Sequence, residues 1–322
     1  MSEDHAVLVG DVGGTHARFA IVDPGARPLR AERRLDLPAD DFVTFDAALE
    51  SYLDHIGVDC RPASAAIGAA GPVTRGHVQF TNRNWHASEE SLRKRGFERA
   101  LLINDFAAIA FSVSALSAED FRTVGPEMEG MAEEPVTVLG AGTGFGVSCL
   151  ARYRHLRVPM ATEGGHIGFA PHGEAEIVVF CALERRFGRV SVERILSGPG
   201  LENLYDALRE IAGHDKVPLS AAEIVERAGA GDTDCARALD MFCGIFGAVA
   251  GDFALAHGAR GGVFIAGGIA GKIEPVLLRS RFRARFEDKG RLSDYVTAIP
   301  TKLVLNDDAA FFGAALASVA FA

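Results

Sequence analysis

Three times along this chain an apolar, β-rich run stops in a glycine-rich turn, and no other feature narrows the possible folds as far. The run Ala6 to Val9 meets Gly10-Asp11-Val12-Gly13-Gly14-Thr15 and resumes as Phe19 to Val22. Pro135 to Leu139 leads into Gly140-Ala141-Gly142-Thr143-Gly144-Phe145-Gly146 and then Val147 to Leu150. Gly262 to Ala266 ends in Gly267-Gly268. The chain carries 36 glycines in 322 residues, against about 23 at the usual ~7% frequency, and they sit in clusters. Glycine lets backbone approach a phosphate and aim successive N–H groups at it, a nest that needs no charged side chain. One such turn is an ordinary hairpin signal. Three after apolar strands point to nucleotide binding.

Between the turns the periodicity alternates. Asp40 to Ile56 places Phe42, Phe45, Leu49, Leu53 and Ile56 at helical spacing. Ser64 to Gly71 reads as a short buried strand, and Ala100 to Ile103 as another that runs into Asn104-Asp105. Ser114 to Pro135 is polar and weakly periodic, and we expect the domain change there. Helical patterns then dominate, at Glu174 to Phe187, Leu201 to Ile211, Ser220 to Ala228 and Asp234 to His257. A last strand, Lys302 to Leu305, precedes Asp307-Asp308, which can cap a buried final helix. Strands alternating with helices make a mixed α/β sheet structure, and the recurring strand, turn, strand unit is a weak internal repeat.

Composition excludes several classes. The net charge of −10 argues against nucleic acid and anionic membrane as partners. With 48% hydrophobic and 24% charged residues the chain is neither disordered nor fibrous. Five cysteines without a C-x-x-C pair argue for a reducing cytoplasm. Two acids before the first apolar run are the opposite of a signal peptide's basic start. The nearly uncharged Ala309 to Ala322 is shorter than the roughly 20 residues of a spanning helix.

The turns fit neither of two common nucleotide motifs. Gly271-Lys272 has Ala266 where a P-loop needs its earlier glycine, and Ile273 replaces the Ser/Thr. Glycine alternates through Gly140 to Gly146, which does not match G-x-G-x-x-G. Asp11, at a strand end beside Gly13-Gly14-Thr15, could hold Mg²⁺ next to phosphates, directly or through water, or simply cap the turn. Asp105 could cap a helix over Phe106 to Phe111 or accept a proton from a substrate hydroxyl. Glu163-Gly164-Gly165-His166 sets an acid and an imidazole on one small polar ligand, and sugar hydroxyls want such a mixture of donors and acceptors. His155, His166, His172 and Cys181 have no tetrahedral zinc spacing. Glu193, in SVERILSGPG, reads equally well as a solvated helix acid.

These segments resemble the bacterial ATP-dependent glucokinases of the sugar kinase, Hsp70 and actin superfamily, nearly end to end. The resemblance rests on GDVGGTHARFAIVD (10–23), LLINDFAAIA (101–110), GAGTGFGV (140–147), TEGGHIGFAP (162–171), ERILSGPGLENLY (193–205) and AGGIAG (266–271), in family order. It implies a two-domain actin-like (ribonuclease H-like) α/β fold with mixed sheets flanked by helices around a cleft. The small domain would span residues 1–112, completed by a C-terminal helix at 306–322, with the large domain at 113–305. It implies ATP and Mg²⁺ as cofactors, glucose as substrate, a cytoplasmic homodimer, and transfer of the γ-phosphoryl group to the 6-hydroxyl. Asn104, Asp105, Glu163, His166 and Glu193 would take the sugar positions, with Asp105 as catalytic base and Asn82 on the sugar side of the cleft. Gly10, Asp11, Gly13, Gly14 and Thr15 would form the first phosphate loop, Gly142, Thr143 and Gly144 the second, and Gly267 with Gly268 the adenosine loop. His16 departs from the Asn expected there. The cysteine-rich zinc motif of the related group of repressors and sugar kinases is missing, which resembles the non-zinc glucokinase branch.

Other classes make different demands. A sugar-responsive regulator would need a DNA-binding helix-turn-helix, and only Met1 to His5 precede the first strand. An actin-like or chaperone-like ATPase would share the phosphate turns but has no use for Glu163-Gly-Gly-His166. A kinase for another hexose or amino sugar, such as mannose, fructose or N-acetylmannosamine, would share every motif.

Overall fold

The structure is a computed structural model that describes residues 5–80, 83–154 and 156–321. Its first half contains β1 (Val7–Val12), β2 (His16–Val22), β3 (Glu32–Pro38), α1 (Phe45–Ile56) and β4 (Ser64–Ala69). A small three-stranded sheet follows, β5 (Val73–Thr74), β6 (His77–Gln79) and β7 (His86–Ser88), then α2 (Glu89–Lys94), β8 (Arg99–Asn104) and α3 (Asp105–Ser112). The second half runs through β9 (Phe121–Thr123), β10 (Val136–Ala141), β11 (Phe145–Tyr153), β12 (Leu156–Thr162), α4 (Gly173–Phe187), α5 (Gly198–Ala212), α6 (Ala221–Gly229) and α7 (Thr233–His257). It closes with β13 (Gly262–Ala266), α8 (Gly268–Lys272), α9 (Glu274–Leu277), α10 (Phe282–Glu287), α11 (Ser293–Thr297), β14 (Thr301–Val304) and α12 (Ala309–Ala320).

Two mixed sheets share one plan. In the first, ordered β3-β2-β1-β4-β8, β1 makes an antiparallel hairpin with β2 and lies parallel to β4, which lies parallel to β8. In the second, ordered β12-β11-β10-β13-β14-β9, β10 makes the hairpin with β11 and lies parallel to β13, itself parallel to β14. The weak repeat in the sequence is thus a repeat of topology. β4, β10 and β13 are buried along their whole length, as parallel strands covered on both faces are.

Helices α3 and α12 fill the space between the sheets. α12 packs on β1 and β4, while α3 packs on α12 and across β10, β11 and β12. The crossing is close: a Cβ on Gly313 would lie 1.7 Å from the Ala108 carbonyl oxygen. The outer face of the second sheet carries the largest core, built from α4 to α7 and α10. α7 alone is long and apolar enough to cross a membrane among the described residues, but 78% of its most apolar stretch is buried in that core.

Several elements depart from the sequence reading. The helix expected from Asp40 starts only at Phe45, because Thr44 takes an extended conformation and its side chain accepts the Ala47 N–H; Ala39–Asp41 form a separate 3-10 turn. The polar stretch 114–135 contains β9, which is the edge strand beside β14. β12, which the sequence reading does not include, is an edge strand whose alternating Leu156, Val158 and Met160 are exposed. The final helix begins at Ala309 and not at 306, and Asp308 makes no cap: its carboxylate is turned to Arg34 at 2.7 Å. The segment around Glu193 is a series of turns and not a helix.

Candidate active site

In both sheets the glycine turns sit at the carboxyl ends of parallel strands, where open α/β sheets bind ligands. The first turn is a tight hairpin closed by Gly13 N–H to His16 C=O at 2.9 Å. Gly14 and Thr15 form its tip, Thr15 is exposed, and a Cβ on Gly13 would meet nothing within 4 Å. Gly10 is needed for a different reason, since its Cβ would press on Ile67 of β4 at 2.7 Å.

The second turn is equally open, with Thr143 exposed and free space beside Gly142. Gly142 N–H donates to Gly144 C=O at 2.8 Å, and Gly198 N–H donates to Gly142 C=O at 2.8 Å, which sets the start of α5 against the turn. The third turn is a strand-to-helix junction. Gly267 has φ +87° and a Cβ there would lie 2.6 Å from the Ala141 carbonyl oxygen, so strand β13 can end against β10 only with glycine. Gly268 opens α8 and faces open space.

The sugar-side candidates come from three separate segments. Gly164 and Gly165 pass under the start of β11, where Cβ atoms would meet Phe253 at 2.7 Å and the Phe145 carbonyl at 2.2 Å. This close passage places Glu163 and His166 at the two ends of a single 3-10 turn. The Glu193 N–H donates to Gly165 C=O at 2.9 Å, joining its loop to that turn. His166 consequently lies between two carboxylates, with Nε2 3.9 Å from Glu163 Oε2 and Nδ1 4.0 Å from Glu193 Oε1. Glu193 Oε2 also accepts the Phe145 N–H at 2.9 Å.

Asn104 and Asp105 divide two tasks at the β8–α3 junction. Asn104 is the cap: its Oδ1 accepts the Ala107 N–H at 3.1 Å, and its Nδ2 donates to Gly71 C=O at 3.3 Å. Among the described residues the second amide hydrogen of Asn104 meets no acceptor. Asp105, relieved of capping, accepts the adjacent Phe106 N–H at 2.8 Å. Phe106 presses against Gly146, where a Cβ would lie 1.9 Å from the ring, so Asp105 is held beside the strand that leaves the second turn.

The electrostatics single out the same residue. Burial, then the neighbouring Asp11 charge, push the Asp105 carboxyl up to about 7; the Phe106 N–H opposes the shift and Glu163 adds to it. Burial likewise raises Asp11, against the pull of Arg18 at 3.4 Å. Two raised carboxylates with one ion-pair partner at that distance form a site that a hard divalent cation would suit, with Asp11 as its protein ligand. Among the described residues no group of three or more His, Cys, Asp or Glu is placed to hold a metal.

Asn82 lies outside the described residues. Arg83, which sequence reasoning passed over, does reach the site: its Nε donates to Gly14 C=O at 3.0 Å and its Nη1 to Ala39 C=O at 2.7 Å.

Comparison with known proteins agrees with this arrangement. The family model for glucokinase matches residues 8–320. A glucokinase of Caulobacter sp. (strain K31) is 49% identical over 312 residues, covering 96% of this chain and 94% of that protein. The crystal structure of a glucokinase from an Antarctic psychrotroph superposes with a TM-score of 0.87 at 34% identity, over 98% of this chain and 99% of that one. A ROK family glucokinase from Streptomyces griseus, solved in complex with glucose and AMPPNP, shares the fold at a TM-score of 0.66 and 18% identity, over 96% of this chain and 98% of that one. A family model spanning nearly the whole chain, together with relatives aligned end to end, makes this chain a member of the glucokinase family.

Proposed function

We infer that this chain is an ATP-dependent glucokinase that transfers the γ-phosphoryl group to the 6-hydroxyl of glucose, giving glucose 6-phosphate and ADP. The observation that carries this reading is the position of Asp105. Its backbone adjoins the first glycine turn, since a Cβ on Gly68 would lie within 4 Å of both Gly10 and Asp105, its neighbour Phe106 packs on the second turn, and the charges of Asp11 and Glu163 both raise its carboxyl. The glucose and AMPPNP held by the Streptomyces griseus protein support the same pair of substrates.

In this mechanism the ionised Asp105 accepts the 6-hydroxyl proton as the oxygen bonds to phosphorus, and ADP departs with the electrons of the broken P–O bond. Glu163, His166, Glu193 and the uncommitted amide hydrogen of Asn104 orient the remaining hydroxyls. Backbone N–H groups of the turns at Gly10 to Thr15 and Gly142 to Gly144 receive the phosphates, and Gly267-Gly268 adjoins the adenosine. Phosphoryl transfer is chiefly positioning and charge stabilisation, which suits a site built from backbone donors. Mg²⁺ bound with ATP at Asp11 would neutralise phosphate charge. Residues 1–112 with the C-terminal helix form the small lobe, 113–305 the large one, and the protein works in the cytoplasm as a homodimer.

A coupled ADP-release assay with Mg·ATP tests this, comparing glucose, mannose, fructose, galactose and N-acetylmannosamine at equal concentration. Turnover with glucose well above the others is expected. Preference for another sugar would move the substrate and keep the chemistry, and no turnover with any sugar would refute the reading.

A further inference from the structure

Arg83 belongs to none of the glycine turns, yet its guanidinium ties its own segment to two others. Its Nε holds the Gly14 carbonyl, its Nη1 holds the Ala39 carbonyl, and its Nη2 pairs with the Asp40 carboxylate. The group lies 5.1 Å over the buried Trp85 ring, and the Arg83 side chain is only 18% exposed. The same 3-10 turn grips the glycine turn a second time, through Ala39 N–H to Thr15 C=O at 2.9 Å.

The consequence lies on the opposite side of the peptide. In a trans peptide the C=O and the following N–H point in opposite directions. Fixing the Gly14 carbonyl therefore fixes the direction of the Thr15 N–H. Among the described residues neither Gly14 N–H nor Thr15 N–H meets an acceptor, whereas Gly13 N–H is used inside the hairpin. A turn with two glycines has little of its own to stop that peptide plane from rotating. We propose that Arg83 is a positioning residue for nucleotide binding: it holds the Gly14–Thr15 peptide with its N–H turned outward to receive a phosphate oxygen of ATP. Lysine cannot replace it, because one ammonium cannot reproduce the fork that spans two carbonyls and a carboxylate.

The inference rests on the first glycine turn being a phosphate loop, and the test separates the two. Steady-state kinetics of Arg83→Ala and Arg83→Lys are compared with wild type, together with calorimetric titration of ADP and of adenosine. Loss of an aimed charge-stabilising donor predicts a KM for ATP and a Kd for ADP raised about tenfold in Arg83→Ala. The KM for glucose and the Kd for adenosine stay near wild type, Arg83→Lys recovers little, and millimolar guanidinium restores part of the ADP affinity. A KM for ATP that is unchanged, or losses shared equally by glucose, adenosine and ADP in step with a fall in Tm, overturns the proposal and leaves the kinase reading standing. Wild-type protein that binds ADP no better than adenosine overturns both.

Discussion

The Glu193 carboxylate accepts the Phe145 N–H at 2.9 Å across 48 positions of sequence, fastening the loop that adjoins Glu163 and His166 to the second glycine turn. The fit leaves no slack, since a Cβ on Gly144 would lie 2.5 Å from Glu193 Oε2. Glu193→Gln replaces a charge-assisted acceptor with a neutral one, so the KM values for glucose and for ATP should rise together, each about tenfold.

Glu163 supplies the contrast. Its carboxylate faces His166 at 3.9 Å and is more than half exposed, and among the described residues it makes no hydrogen bond to either glycine turn. Glu163→Gln should raise the KM for glucose about tenfold while the KM for ATP stays near wild type. Calorimetry that finds equal losses for both ligands would contradict the division of labour between the two acids.

Asp105 gives a pH signature with two signs. Its carboxyl is pushed up to about 7 from an ordinary 3.8, so the base is protonated and idle in acid and kcat should rise with pH through about 7. Stability moves the other way. Between 3.8 and 7 the native state holds a proton that the unfolded chain has released, so folding stability falls as pH rises through that window and levels off above it. Asp105→Asn mimics the neutral acid. Its Tm should exceed that of wild type at pH 8 and match it near pH 4, while kcat drops about 10³-fold at pH 8 and the deficit narrows in acid, where the wild-type carboxyl is itself protonated. A calorimetric scan at both pH values, paired with kcat, checks the two signs on one variant.

What could be read from sequence was local. The three turns are legible because an apolar run and its terminal glycines are contiguous, and Asn104-Asp105 because it marks a strand-to-helix boundary. The division of tasks there, with Asn104 as cap and Asp105 left over, needs the actual hydrogen bonds. Position of α1 was misread because Thr44, a cap residue inside an apolar pattern, overrides the periodicity that begins at Phe42. Glu193 and Arg83 owe their attachments to partners 48 and 69 positions away, which no window detects. β12 does alternate, through Leu156, Val158 and Met160, but Pro159 inside the run speaks against a strand in sequence and is tolerated here because β12 is the edge of its sheet.

Packing and chemistry meet where α3 crosses α12. Helix α3 begins with Asp105 and crosses α12 where a Cβ on Gly313 would sit 1.7 Å from the Ala108 carbonyl oxygen. No rotamer relieves a contact between a Cβ and backbone, so Gly313→Ala forces the helices apart. We expect a loss of about 3 kcal/mol of stability, at the upper end for overpacking. Because α3 is also wedged through Phe106 against Gly146, its displacement moves Asp105 relative to both glycine turns, and kcat should fall in protein that is still folded. Gly229→Ala, at the end of α6 with open space beside it, is the control: relief of a glycine in a helix should leave Tm unchanged or raise it. Chemical denaturation of the two variants, with kcat measured well below each midpoint, distinguishes a displaced α3 from general destabilisation. A Gly313→Ala enzyme that is destabilised yet keeps its full kcat would break the proposed link between this crossing and the catalytic base.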